Sequence, residues 1–333
     1  MLFRYFVFVA LTVSAAAQPA ERVFVSTDLG GDPDDIQSLY RLLHYSDHMG
    51  VEGIISSPGP GAENAAEKIR RWIREVRVDE LRAKGHNELL SEAAALALVR
   101  QGLTEPGAPA EGRSTEGSRF LIDRALAQDP AGLGRPLWVQ VWGSMTDVAQ
   151  ALHDAPEIAG RIRIYSIGSS NTVADPAARD WIYAFMRTQA PELWWIENGV
   201  LPRRSSDTFR GVYQGGVQDG EWGNQEFVRV NIRGHGPAGD AFPVATSPRD
   251  TLKEGDSPAM LYLLSPRIAG VGDLDDPTQP SWGGRFQRPE PENFPNYFID
   301  LEPGDPEKCQ QTVSRWRVDF LSHWKARWDW YLE

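Results

Sequence analysis

From residue 22 onward the chain alternates short runs of β-branched and aromatic residues with segments whose apolar positions recur at helical spacing. That alternation restricts the fold more than any single motif. Strands that are each followed by a helix return in one direction and build a mostly parallel, doubly wound α/β sheet with helices on both faces. Residues 22–27, 51–56, 137–141, 163–167 and 193–196 read as strands. Residues 36–45, 62–75, 89–101, 118–127, 145–153, 257–264 and 311–331 read as helices, the first carrying Ile36, Leu39, Tyr40 and Leu43 on one face. The stretch 102–114 is rich in Gly, Pro and Glu and reads as a surface loop. Between 200 and 250 the periodicity fades, which predicts long loops with short elements, and 266–302 is rich in Pro and Gly. In sheets of this kind ligands sit outside the carboxyl ends of the strands. The loop after the first strand falls there.

The first residues stand outside this scheme. Arg4, an apolar run over 5–13 and Ser14-Ala15-Ala16-Ala17 have the pattern of a secretory signal peptide. Residues 1–18 are therefore expected to be cleaved and 19–333 to form one large domain, periplasmic or secreted from a bacterium. No later apolar stretch approaches the ~20 residues that a membrane span requires. Cys309 is the only cysteine, so no intrachain disulfide can form, and a core of this size does not need one. The net charge of -12 argues against a nucleic-acid partner and is compatible with cation binding and a neutral substrate. The 12 tryptophans serve packing or offer flat platforms for sugar rings.

The densest chemical signal is Ser26-Thr27-Asp28-Leu29-Gly30-Gly31-Asp32-Pro33-Asp34-Asp35. Four carboxylates so close together repel one another unless a cation or a helix N-terminus compensates them. Ordinary capping needs one aspartate. Oxygen-only ligands suit a hard cation, Ca²⁺ or Mg²⁺. An EF-hand is excluded, because the position that would hold its bidentate glutamate is Leu39 or Leu43, counted from Asp28 or Asp32.

This loop resembles the Asp-rich N-terminal signature of inosine-uridine nucleoside hydrolases, with about two residues inserted around Gly31 to Pro33. Two further segments carry the likeness. Val141-Trp142-Gly143-Ser144-Met145-Thr146-Asp147-Val148-Ala149 is similar to that family's Gly-Pro-Leu-Thr-Asn-x-Ala turn, and Glu254-Gly255-Asp256-Ser257-Pro258-Ala259 stands where it has a late metal-binding aspartate opening a helix. The nearer match is a subgroup, the nucleoside-hydrolase-like domain of proteins labelled cellulose-binding. Its marks here are Gly-Asp-Pro-Asp-Asp, Glu-Gly-Asp-Ser-Pro, Ser281-Trp282-Gly283-Gly284-Arg285-Phe286 and a C-terminal helix with Arg315-Trp316-Arg317.

The resemblance implies a Rossmann-type fold and a catalytic domain over 19–333. It implies that Asp28, Asp35 and Asp256 give carboxylates to one Ca²⁺, that the backbone carbonyl near Trp142 completes the protein ligands, and that Asp34 binds sugar hydroxyls. It implies a water attacking an anomeric carbon with Asp28 as general base, through an oxocarbenium-like transition state. Asp256 can also be read as a plain N-cap before Ser257-Pro258. Asn171, Glu197 and Asn198 follow strand ends, where they would bind sugar hydroxyls or simply begin turns. Trp282 and Arg285 lie in a glycine-flanked loop and would shape a pocket or only pack.

One departure is chemical. Established nucleoside hydrolases place a histidine immediately before the late aspartate, where it assists the leaving base; here that residue is Gly255, and only His235 lies on the loop before it. The leading expectation is a calcium-dependent hydrolase of N- or O-glycosyl bonds, acting on a glycoside, nucleoside or glycan fragment, with a homo-oligomer open. The alternative is a non-catalytic carbohydrate-binding protein that keeps the metal. A phosphohydrolase has only the Gly30-Gly31 pair to recommend it.

Overall fold

The computed structural model describes residues 20–30, 32–200 and 207–333. The expected leader, 1–18, and Gly31 of the acidic loop lie outside them. The strands in chain order are β1 (Glu21–Thr27), β2 (Met49–Ser56), β3 (Val99–Arg100), β4 (Leu137–Val141), β5 (Ile162–Ile167), β6 (Trp194–Asn198), β7 (Ala245–Thr246), β8 (Arg249–Thr251), β9 (Phe286–Gln287) and β10 (Tyr297–Asp300). Eight of them form one sheet in the order β3-β2-β1-β4-β5-β6-β10-β9. Every pairing in it is parallel except β9 with β10. The doubly wound parallel sheet expected from the alternation is what the chain builds.

Strands buried on both faces read as continuous apolar runs, and β4, Leu-Trp-Val-Gln-Val, is buried at every position. Successive side chains still go to opposite cores. Val23, Val25, Trp138 and Tyr165 join one cluster, and Phe24, Leu137, Val139 and Ile164 join the other. The helices Asp34–His44, Ala65–Val76, Ser257–Ala269 and Arg317–Asp329 cover the first face. Glu116–Leu126, Thr146–Asp154 and Pro176–Thr188 cover the second.

The crossover from β1 therefore leaves on one face and that from β4 on the other. β1 and β4 are neighbours, with Ser26 beside Val141. Their carboxyl ends bound the crevice at the point where the strand order reverses, the position in such sheets where backbone groups and loops can surround a ligand.

The chain departs from the sequence expectation in several segments, four of which are instructive. The helix expected over 89–101 is only Glu92–Ala97, because Val99 and Arg100 pair with β2 as an edge strand. The C-terminal helix is two helices, Pro306–Ser314 and Arg317–Asp329. Arg317, at the break, is fully buried and donates to the carbonyls of Val212 and Trp222 and to the Asn224 side chain. β10 lies inside the Pro/Gly-rich stretch, paired with β6. Pro176–Thr188 went unread despite Asp175 capping it at the Ala178 N–H, 3.3 Å. Among the described residues no helix is long and apolar enough to cross a membrane.

Candidate metal centre

Asp28 is the first residue past β1, and Asp34 and Asp35 form the first turn of the helix Asp34–His44. The Thr27 hydroxyl donates to the Asp35 carboxylate and accepts the Leu29 N–H at 3.2 Å, which ties the strand end to the helix start. Across the crevice the Trp142 N–H donates to the Ser26 carbonyl at 2.8 Å, extending the β1–β4 pairing past β4. The turn that follows is held by buried Asp175, which accepts both the Ser144 and Thr146 hydroxyls. Here backbone must lie against Asp28. A Cβ on Gly143 would sit 2.6 Å from Asp28 Oδ1, and one on Gly59 would sit 2.6 Å from its Cβ. Only glycine fits at either place.

Asp256 arrives from far along the chain through a buried scaffold. Gln37 accepts the backbone N–H groups of Lys253 and Glu254 at 2.6 and 2.8 Å. Arg41, on the same helix, grips Glu254 bidentately at 2.5 and 2.7 Å with both side chains fully buried. Ser257 donates to Glu254 at 2.8 Å and meets Ser38 at 3.0 Å. Glu254 adopts a left-handed φ of 38°, a strained conformation for a residue with a side chain. Asp256 then opens the helix Ser257–Ala269 without capping it: its side chain makes no hydrogen bond there. The plain N-cap reading of this residue does not hold.

Carboxylate oxygens of Asp34, Asp35 and Asp256 all lie within 4.8 Å of one another. The sequence reading grouped Asp28 with Asp35 and Asp256 and gave Asp34 to the substrate; in the structure Asp34 belongs to the tightest trio, and Asp28 lies in the same cavity. Burial, and then the charge of Asp34, push Asp28 up to about 7. Asp34 is pushed up to about 6 by burial, against the pull of Lys253. Asp35 and Asp256 stand well above the ordinary carboxylate range, first from burial and then from their acidic neighbours. Among the described residues Asp256 Oδ2 is buried with no hydrogen-bond partner. Converging oxygen-only donors, one of them a buried oxygen with no partner, fit a hard divalent cation, which would satisfy the orphaned oxygen and cancel the repulsion.

The cavity at this point measures about 340 Å³, within the usual range for small-molecule sites. Trp142 and Asn171 line it beside the acidic residues. The Asn171 amide donates to the Trp142 carbonyl at 2.7 Å and the Ile167 carbonyl at 3.0 Å. Among the described residues the Trp142 oxygen keeps a lone pair and the Asn171 oxygen keeps its acceptor capacity, which an ion and a ligand hydroxyl could use. Lys253 pairs with Asp32 and lies 3.8 Å from Asp34. Phe209, Arg210 and Tyr213, on or next to the turn Thr208–Val212, complete the lining. Sequence reasoning missed these three and Lys253. Lys253 directly precedes the Glu-Gly-Asp-Ser-Pro motif, but the 209–213 segment has no periodicity or motif to mark it.

Three residues expected at the sugar lie elsewhere, and their partners explain why. Glu197 is buried, bidentate with Arg179 at 2.8 Å, and accepts the Tyr297 hydroxyl at 2.5 Å. Asn198 donates to the Tyr165 hydroxyl at 2.9 Å and accepts the Phe209 N–H at 3.0 Å. Trp282 is a core residue whose N–H meets no acceptor, and Arg285 bonds the Thr278 carbonyl. A larger hollow, about 500 Å³, opens at the starts of β4, β5 and β6. It is at the wrong end of the sheet for ligand binding, and Arg22, Arg135 and Arg163 on its walls are paired with Glu52, Asp129 and Asp275.

Gly255 also has a structural reason. A Cβ there would lie 2.8 Å from Asp34 Oδ2 and 3.7 Å from the Phe209 ring. A side chain at this position would press on the Asp34 carboxylate, which would have to move to admit a histidine. His235 is engaged with Asp329 at 3.2 Å and is not part of the lining.

Residues 22–286 match the family described as cellulose-binding Sde182, nucleoside hydrolase-like domain. Among curated proteins none matches the chain. A nucleoside hydrolase-related hypothetical protein from Saccharophagus degradans, associated with carbohydrate metabolism, superposes with a TM-score of 0.68 at 22% identity, over 95% of this chain and 72% of that one. The effector protein XOO4466 gives 0.55 at 16% identity, over 91% of this chain and 95% of its own. The type III effector XopQ, solved with adenosine diphosphate ribose, gives 0.54 at 16% over the same shares. At these identities the likeness establishes a shared fold.

Proposed function

The chain belongs to the nucleoside hydrolase-like domain family of cellulose-binding Sde182, and from that premise we propose that it is an exported, calcium-dependent hydrolase of glycosyl bonds. The observation that carries this reading is the meeting of Asp34, Asp35 and Asp256 in one cavity with Asp28, leaving a buried carboxylate oxygen with no partner. Asp34, Asp35 and Asp256 would hold the ion, and Asp28 and the Trp142 carbonyl, on the same cavity wall, would complete the protein ligands. When bound, the cation supplies Lewis acidity and an anchor for vicinal sugar hydroxyls.

Asp28 takes a proton from the attacking water. Asp34 and the Asn171 oxygen accept sugar hydroxyls and orient the ring. The acidic wall favours the positive charge that develops at the anomeric carbon. Five carboxylates line the cavity against Lys253 and Arg210, so even with a divalent ion it stays net negative. That balance favours a neutral glycoside, nucleoside or glycan fragment over a phosphorylated one.

The test is a screen of purified protein with Ca²⁺ against nitrophenyl glycosides, nucleosides and plant-wall oligosaccharides, with and without EDTA. Product release that EDTA abolishes, and that Asp28→Ala loses together with calcium affinity, is the expected outcome. The second reading, a carbohydrate-binding protein without turnover, draws on the absence of any histidine from the described lining. Saturable oligosaccharide binding with no product after long incubation would establish it instead.

A further inference from the structure

The turn Thr208–Val212 and the residues flanking it carry a relay unlike anything on the metal side of the cavity. Buried Asp207 accepts Arg210 Nε at 2.9 Å, and Arg210 in turn donates to the Tyr213 hydroxyl oxygen at 2.8 Å. The turn is pinned from outside. Arg317 donates to the Val212 carbonyl at 2.6 Å, and Asn224 donates to the Tyr213 carbonyl at 2.7 Å. Tyr213 is the only phenol among the described lining residues. Tyr213 lines the cavity, and because its oxygen accepts the guanidinium N–H, the hydroxyl's own hydrogen is not used in that contact and can be donated.

Resting on the hydrolase reading above, we propose that Tyr213 is the general acid for the leaving group of an O-glycosyl bond, with Arg210 as its positioning residue. Water oxygen bonds to the anomeric carbon and Asp28 accepts the water's proton. The glycosyl C–O bond breaks with its electron pair on the departing oxygen, which receives the Tyr213 proton and leaves as an alcohol. Arg210 faces the resulting phenolate, and solvent returns the proton from Asp28 to Tyr213 so that the sum is hydrolysis by one water. Burial holds the phenol above its ordinary range, so it carries its proton at every working pH. Such a weak acid serves where the departing atom becomes strongly basic, as an alkoxide does, and this separates O-glycosyl from N-glycosyl substrates.

The experiment compares wild type and Tyr213→Phe on methyl, 4-nitrophenyl and 2,4-dinitrophenyl glycosides of the sugar found in the screen. General acid assistance is worth about 100-fold or more, so kcat/KM for the methyl glycoside should fall by about that factor. The loss should shrink steadily as the leaving group becomes more acidic. Arg210→Met should show the same ranking with smaller losses, and calcium titration calorimetry and melting temperature report whether each variant is folded. A uniform loss across the series, or none, overturns the assignment of Tyr213 alone. A wild type that releases product from nucleosides but from no member of the series overturns this proposal and leaves the hydrolase reading standing, whereas one that turns over nothing in the whole screen overturns both.

Discussion

The carboxylate of Asp256 is buried, Oδ2 meets no donor, and Asp34 and Asp35 stand within coordinating reach. Without a cation, folding must either protonate this group or bury a charge against like charges. Asp256→Asn removes that conflict at little cost in volume. In EDTA at neutral pH the variant should be more stable than wild type by about 1–2 kcal/mol, the range for relieving a buried unsatisfied polar group. Calcium affinity should fall by at least about 100-fold, since even supporting residues around a metal cost that much. Urea unfolding with and without calcium measures both, and a variant less stable than wild type in EDTA would show that Asp256 has a structural partner. The same residue shows what sequence can and cannot reveal. Asp28, Asp34 and Asp35 were legible because like charges crowd one loop, and Asp256 only through the resemblance of Glu254-Gly255-Asp256-Ser257-Pro258 to a late metal-binding motif, since Asp-Ser-Pro at a helix start by itself reads as an N-cap. Glu197, Asn198 and Trp282 were misread because a strand-end position points to the crevice only if nothing else claims the side chain. Arg179, Tyr297 and Tyr165 are claims that no local spacing announces.

Between elements, one buried ion pair, beside the Gln37 and Ser38 contacts, holds Asp34 and Asp35 near Asp256. Arg41 projects from the helix Asp34–His44 to Glu254, two residues before Asp256, and its guanidinium stacks 4.0 Å from the Trp324 ring centroid. Neither side chain reaches solvent, so cutting the pair strands a charge. Arg41→Met should destabilise by about 3–5 kcal/mol, whereas Arg41→Met with Glu254→Leu should recover most of it, because apolar replacement of a whole buried pair is often neutral. Both should weaken calcium binding, since Glu254 also accepts the Ser257 hydroxyl and holds the loop. Chemical unfolding of the three proteins decides; a single variant as stable as wild type would remove the pair from this role. The elements that carry this geometry were the readable ones, with strong apolar period and charged first turns. The missed ones, β3 and β10, span two and four residues, too short for a period, and they exist because a neighbouring strand offers its edge. The C-terminal helix breaks at Arg315–Trp316 without a Gly or Pro signal, so only the tertiary burial of Arg317 marks the place.

Across the whole molecule, the acidic crevice makes stability depend on pH and on calcium together. An unfolded aspartate titrates near 3.8, while folded, metal-free Asp28 is pushed up to about 7 and Asp34 to about 6. Between those limits the folded state binds more protons than the unfolded one, so this cluster's contribution falls as pH rises from about 4 to about 7. Other groups titrate in the same span. Burial holds His44 well below its ordinary value, so acid weakens the fold from another direction and the bare pH profile mixes the two. Calcium separates them. Binding requires ionised carboxylates and releases their protons, and it acts only on the crevice, so the rise in stability between EDTA and saturating calcium cancels every group elsewhere. At about 100 times Kd that rise is worth about 2.7 kcal/mol, and Kd itself should weaken as pH drops below the folded values of Asp28 and Asp34. The calcium-induced shift in melting temperature, at one fixed calcium concentration, should therefore be larger at pH 7.5 than at pH 5. Asp28→Asn should flatten that difference, because it removes one of the protons that calcium must displace. An equal shift at both pH values would mean that calcium, if it binds at all, binds away from the sheet's carboxyl edge.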